Sequence, residues 1–210
     1  MNKDMKTKII VIIAAVLIIG GLVFVVFRKI EKPQTSGGSE DLLWIGKADA
    51  VVTLIEYYNY FCTHCKNFED QIMPDIIRDY VATGKVKFVF RPLSTFIQIN
   101  EGVLCANDQN KFLEYHNYIF SHLEGLQKTD DLKVFARNVD LNETQFNNCM
   151  DSNKFKIEAE NYYRIANEDF TKAKIPSEQQ GTPTFLIAGE MLVGNQTYDK
   201  LKEVIEKNLK

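Results

Sequence analysis

The chain predicts an α/β fold: a small sheet-and-helix unit carrying a large all-helical insertion, preceded by one apolar N-terminal span. Three observations lead there. A β-branched and aromatic run, Val51 to Tyr58, feeds directly into Cys62-Thr63-His64-Cys65 and a helical pattern. Helical periodicity then persists from Thr95 to Lys174. After Gly181-Thr182-Pro183 the pattern returns to strand, turn, strand and a last helix.

From the start, residues 1–8 form a short tail with Lys3, Lys6 and Lys8, and Ile9 to Phe27 follows without a charge. As a helix this run spans about 28 Å, close to the apolar thickness of a bilayer. It reads as a retained signal anchor rather than a cleaved leader, because it is long and no A-x-A-like site follows it closely. Basic residues flank both sides, so charge alone does not orient it. Residues 28–40, with Pro33, Ser36, Gly37, Gly38 and Ser39, read as a flexible tether. The folded domain is expected over 41–210, with the helical insertion at about 95–174.

Within that domain, Leu42 to Ile45 is a candidate short strand. Val51 to Tyr58 is too apolar for an edge and is expected at the centre of the sheet. Glu56 inside it is either a solvent-facing carboxylate or a buried acid beneath the thiols. Residues 62–81 read as one helix, with Phe68, Ile72, Ile76 and Tyr80 on one face and a kink or break at Pro74. Thr83-Gly84 ends it, and Lys85 to Arg91 alternates as a strand. In the insertion, Phe112, Tyr115, Ile119 and Leu123 mark one helix, and Leu132, Phe135, Ala136 and Val139 a second. Asn142 and Gln145 suggest a capping box opening a third. Phe155, Ala159, Tyr162, Ala166 and Phe170 mark a fourth. Thr184 to Ala188 and Met191 to Val193 are expected as a hairpin turning at Gly189-Glu190, and Thr197 to Lys210 as the closing helix.

Apolar residues make up 45% and charged residues 25%, ordinary for a globular protein, and the net charge of −3 offers no broad basic surface for nucleic acid. Four cysteines, Cys62, Cys65, Cys105 and Cys149, allow three pairings, of which spacing alone selects Cys62–Cys65. At a helix N-terminus, unpaired amides and the positive end of the dipole stabilise the Cys62 thiolate, with His64 adding positive charge. Cys65, one turn further in, is the expected resolving thiol. The competing reading, half of a zinc site, needs further ligands at suitable spacing, and the sequence holds no second CxxC. His116 and His122 read as ordinary surface or satisfied helix residues.

The stretch from Leu54 to Cys65, together with Cys105 to Phe112 and Gly181-Thr182-Pro183-Thr184, resembles the DsbA-like thiol:disulfide oxidoreductases, thioredoxin-fold proteins with a helical insertion. The resemblance covers about residues 41–210. It implies that Pro183 is the family's cis-proline facing the thiols. It also implies that Thr182 lies against the Cys62 sulfur and binds extended substrate, and that Glu56 is the buried acid assisting proton transfer at Cys65. One departure stands out: the best-known members carry Pro-His between the cysteines, where this chain has Thr63-His64, and that dipeptide tunes the redox potential. Relatives with a comparable second pair, and an exported location, favour a structural disulfide between Cys105 and Cys149 over two buried free thiols. The implied activity is disulfide formation in newly exported polypeptides outside the cytoplasm, in a periplasm or at a cell surface. The chain would be membrane-anchored, re-oxidised by a membrane partner of the DsbB or VKOR type, and need neither metal nor organic cofactor. The alternatives are a reductase or isomerase of the same fold, or a non-catalytic module holding peptides or Cu(I).

Overall fold

The computed structural model describes residues 41–210. The expected tail (1–8), anchor (9–27) and tether (28–40) lie outside the described residues. Among the described residues, no helix is long and apolar enough to cross a membrane.

A five-stranded sheet forms the frame: β1 (Trp44–Ile45), β2 (Val52–Tyr58), β3 (Val86–Pro92), β4 (Thr184–Ile187) and β5 (Glu190–Val193). Their order across the sheet is β1-β3-β2-β4-β5, so the most apolar strand is central, as its composition requires. β2 runs parallel to β3, with Leu54 opposite Phe88, and antiparallel to β4, with Glu56 opposite Phe185. The parallel pair needs a crossover, and residues 59–85 supply it.

That crossover is helical but not one helix. α1 (Thr63–Gln71) stops at Ile72, and α2 (Met73–Ile76) restarts with Pro74 in its first turn before a π-helical turn over Ile77–Val81. Proline has no N–H to donate to the carbonyl four residues back, so the break falls just ahead of it, where a first-turn proline is tolerated.

The insertion comprises α3 (Ile97–Asn107), α4 (Phe112–His122), α5 (Thr129–Asn138), α6 (Glu143–Asp151) and α7 (Lys156–Lys172). α3 lacks an amphipathic stripe because it is buried on all sides: every residue from Ile99 to Ala106 is inaccessible. A disulfide between Cys105 and Cys149 ties it to α6. The hairpin turns at Ala188-Gly189, one residue earlier than expected, and both residues have positive φ. Glu190 is already paired with Ile187 in the ladder. Two positive-φ residues suit the right-handed twist of a tight hairpin. α8 (Tyr198–Asn208) closes the chain, capped by the Thr197 hydroxyl accepting from the Lys200 N–H.

Both faces of the sheet are covered. On one, Leu54, Phe88 and Phe185 share a core with Phe68 of α1 and with Val204 and Ile205 of α8. On the other, Tyr57 packs on Ala166 and Phe170 of α7. There Arg91 is buried and bridges Asp169 at 2.8 Å and Asp41 at 2.9 Å, with the Tyr57 hydroxyl on the same network. This pins the insertion's last helix across β2 and β3, directly behind the strand that leads to the thiols.

Candidate active site

β2 ends at Tyr58, and a tight turn carries the chain to α1. The Asn59 side chain accepts from the Phe61 N–H at 2.9 Å, and its carbonyl accepts from the Cys62 N–H at 3.0 Å. Cys62 therefore arrives as the N-cap of α1 in extended conformation, partly exposed, while Cys65 one turn later is fully buried. The two thiols are unbridged.

Their environments push them apart. Burial works against the Cys62 thiolate, but the Cys65 and His64 amides and Thr182 outweigh it, and its pKa is lowered from the ordinary thiol value. His64 contributes through its backbone N–H; its ring is exposed to solvent. Cys65 is driven far above the usual thiol range, first by desolvation and then by the Glu56 charge. The Asn59 N–H, 3.5 Å from its sulfur, offsets this only in part. One thiol thus sits at a helix N-terminus with its pKa lowered, and its neighbour is a buried thiol with its pKa raised.

Opposite α1, the turn before β4 brings in Thr182 and Pro183. Their peptide bond is cis, and the Cys62 thiol donates to the Thr182 carbonyl at 3.2 Å. Glu56, on β2, is wholly inaccessible. Burial raises its pKa well above the ordinary carboxyl value, and neighbouring Glu69 and Cys62 raise it further. The buried reading of Glu56 therefore replaces the solvent-facing one. Cys62, Cys65, His64, Glu56, Thr182 and Pro183 all converge on one place, while Cys105 and Cys149 lie apart in the insertion.

Two residues belong here that the sequence reading left out. Glu69, on α1 four residues after Cys65 and so on its face, is buried. His116, on α4, is not a surface residue: it is fully buried, with Nε2 3.1 Å from Glu69 Oε1 and Nδ1 2.8 Å from the Tyr60 hydroxyl. A charged residue interrupting the apolar face of the CxxC helix was the available signal for Glu69. His116 had none, because its partners lie about fifty residues away. His122, by contrast, is exposed and stacks on Tyr118. Among the described residues, no group of three or more His, Cys, Asp or Glu side chains is placed to hold a metal ion.

The thioredoxin family model matches residues 39–207. A putative protein-disulfide oxidoreductase of Rickettsia conorii is 24% identical over 172 residues, covering 79% of this chain and 59% of the relative. The chain thus spans less than two thirds of that relative's length. Disulfide bond formation protein D of Bacillus subtilis is 25% identical over 172 residues, covering 79% of this chain and 76% of the relative. Among solved structures, oxidised BdbD from Bacillus subtilis superposes with a TM-score of 0.67 at 23% identity, covering 81% of this chain and 93% of that one.

Proposed function

From the premise that this chain belongs to the thioredoxin family, we propose that it is an extracytoplasmic thiol:disulfide oxidoreductase that forms disulfides in exported polypeptides. The observation that carries this reading is the asymmetry of the pair: Cys62 is partly exposed at a helix N-terminus with a lowered pKa, and Cys65 is fully buried with a raised one. A stable thiolate favours the reduced pair and so makes the disulfide a stronger oxidant. The names borne by the Rickettsia conorii and Bacillus subtilis relatives point the same way.

In the oxidised enzyme a substrate thiolate attacks Cys62 Sγ. The Cys62–Cys65 bond breaks, its electron pair goes to Cys65 Sγ, and Cys65 takes a proton from Glu56. A second substrate thiolate then attacks the substrate sulfur of the mixed disulfide, and Cys62 leaves as thiolate. Two electrons pass from the substrate dithiol to the pair. Of its two protons, one restores Glu56 and the other goes to solvent. Thr182 and Pro183 line the site on the far side of Cys62, and half-exposed Phe61 beside it offers an apolar contact to unfolded chain. Regeneration requires a membrane partner of the DsbB or VKOR type that accepts two electrons, and the apolar run at 9–27 would hold the domain near it.

The test is trapping. Purified Cys65→Ser protein, offered a reduced unfolded substrate under oxidising conditions, accumulates a mixed disulfide at Cys62, and wild type turns over. No trapped adduct, together with no dithiol oxidation by wild type, rejects the proposal.

A further inference from the structure

We infer that Asn59, in the turn between β2 and α1, is a positioning residue for the thiol pair: its side chain locks that turn so that its own main-chain N–H stays on the Cys65 sulfur and meets the charge that sulfur takes up when substrate attacks Cys62. This rests on the exchange reading above and adds to it a donor for the leaving sulfur.

The sheet frees that donor. The Tyr58 carbonyl accepts from the Leu93 N–H at 2.6 Å, on the β3 side. Main-chain groups alternate sides along a strand, so those of Asn59 face the β4 side. There the ladder stops: Tyr57 pairs with Thr184, the first residue of β4, and the same register carried two residues further sets Asn59 opposite Thr182. Instead of bonding to each other, the two residues each serve a sulfur. The Asn59 N–H lies 3.5 Å from Cys65 Sγ, and the Thr182 carbonyl accepts from Cys62 Sγ at 3.2 Å.

The Asn59 side chain holds this arrangement. Its Oδ1 accepts from the Phe61 N–H at 2.9 Å, an Asx turn, while its main-chain carbonyl accepts from the Cys62 N–H at 3.0 Å and closes the four-residue turn 59–62. One residue thereby fixes both the approach to Cys62 and the direction of its own N–H. During exchange the electron pair of the Cys62–Cys65 bond passes to Cys65 Sγ, which is fully buried. A donor already aimed at that sulfur stabilises the charge until the proton arrives from Glu56. The groups that favour the Cys62 thiolate are the Cys65 and His64 amides and Thr182, none of which the Asn59 side chain holds. Its loss therefore bears on the release of Cys65 and not on the reactivity of Cys62.

The test separates those two sulfurs. Rapid-quench reduction of the oxidised full chain by glutathione reads attack at Cys62 with release of Cys65, and iodoacetamide labelling of the reduced chain, followed by mass at Cys62, reads Cys62 alone. Asn59→Ala should slow reduction roughly threefold to tenfold, the effect of one hydrogen bond. Its Cys62 labelling rate should stay within about twofold of wild type, since the amides above are untouched. Asn59→Ser, whose hydroxyl can accept from the same N–H, should bring reduction back to within about twofold of wild type. If Asn59→Ala does not fold, Asn59→Gln, with its carbonyl one methylene too far out for the turn, makes the same deletion. Reduction of the folded deletion variant at the wild-type rate overturns the inference. So does an equal slowing of Cys62 labelling, which marks a general distortion, or an Asn59→Ser rate as low as that of the deletion. Dithiol oxidation by wild type is measured in parallel: its absence refutes the proposed function, whereas unchanged reduction of the variant in an active enzyme refutes only the role of Asn59.

Discussion

Replacing Cys105 and Cys149 together by alanine removes a crosslink that closes a 44-residue separation between α3 and α6. Constraining a loop of that size withdraws about 13 cal/mol/K from the unfolded ensemble, equivalent to about 4 kcal/mol at 25 °C. For a domain of this size each kcal/mol moves Tm by about 2–4 °C, so the variant should melt roughly 8–16 °C lower. Both positions are buried, so alanine leaves no unpaired polar group there. The assay is urea and thermal unfolding of the double variant beside wild type, both with Cys62 and Cys65 blocked by alkylation so that only the second pair differs. Dithiol oxidation by unblocked protein should change little, because the crosslink joins two helices of the insertion, α3 and α6. A loss of stability below about 1 kcal/mol would refute the reasoning, since the unfolded chain would then be gaining no freedom from the cut.

Other expectations follow from the same geometry. Reduced Cys62 should be alkylated by iodoacetamide with a midpoint below the free-thiol value of about 8.5, and faster than Cys65 at every pH; equal rates would remove the basis for its nucleophilic role. Glu56 has a raised pKa in the folded state, so its contribution to stability is favourable below the ordinary carboxyl pKa and is lost as pH rises toward the folded value. Glu56→Gln should therefore stabilise the protein at neutral pH, have little effect near pH 4, and slow the release of Cys65 during substrate oxidation. Denaturation curves at the two pH values, with single-turnover rates, check both halves. Arg91→Leu removes the buried cation that bridges Asp169 and Asp41 and contacts the Tyr57 hydroxyl behind β2, and should cost about 3 kcal/mol in urea unfolding.

What the sequence made legible follows physical range. The central strand, the thiols at a helix start and the turn before the hairpin are local patterns, and β2, α1 and the Thr182-Pro183 turn are where those patterns put them. The failures involve distant partners. α3 was not separable as a helix because burial on all sides erases the stripe that periodicity detects. The Asn142 capping box is only half local: its side chain accepts from the Gln145 N–H, but the Asn142 N–H donates to Gln109, thirty-three residues earlier. Gln145 turns instead toward Asp108. His116 looked ordinary for the same reason, since nothing within a helical turn of it reveals Tyr60 or Glu69. The expected charge help from the His64 ring is carried by backbone amides, which any residue there would supply.

The measurement closest to the central claim is the reduction potential of the Cys62–Cys65 pair, taken by equilibrating the full chain with glutathione or dithiothreitol buffers at neutral pH. With the Cys62 pKa lowered at the head of α1 and that of buried Cys65 raised, the potential should lie near that of a strong dithiol oxidant, about −120 mV. A value near about −270 mV, that of a cellular reductant, would contradict the account and point to Thr63 as the residue that reverses the direction of electron flow.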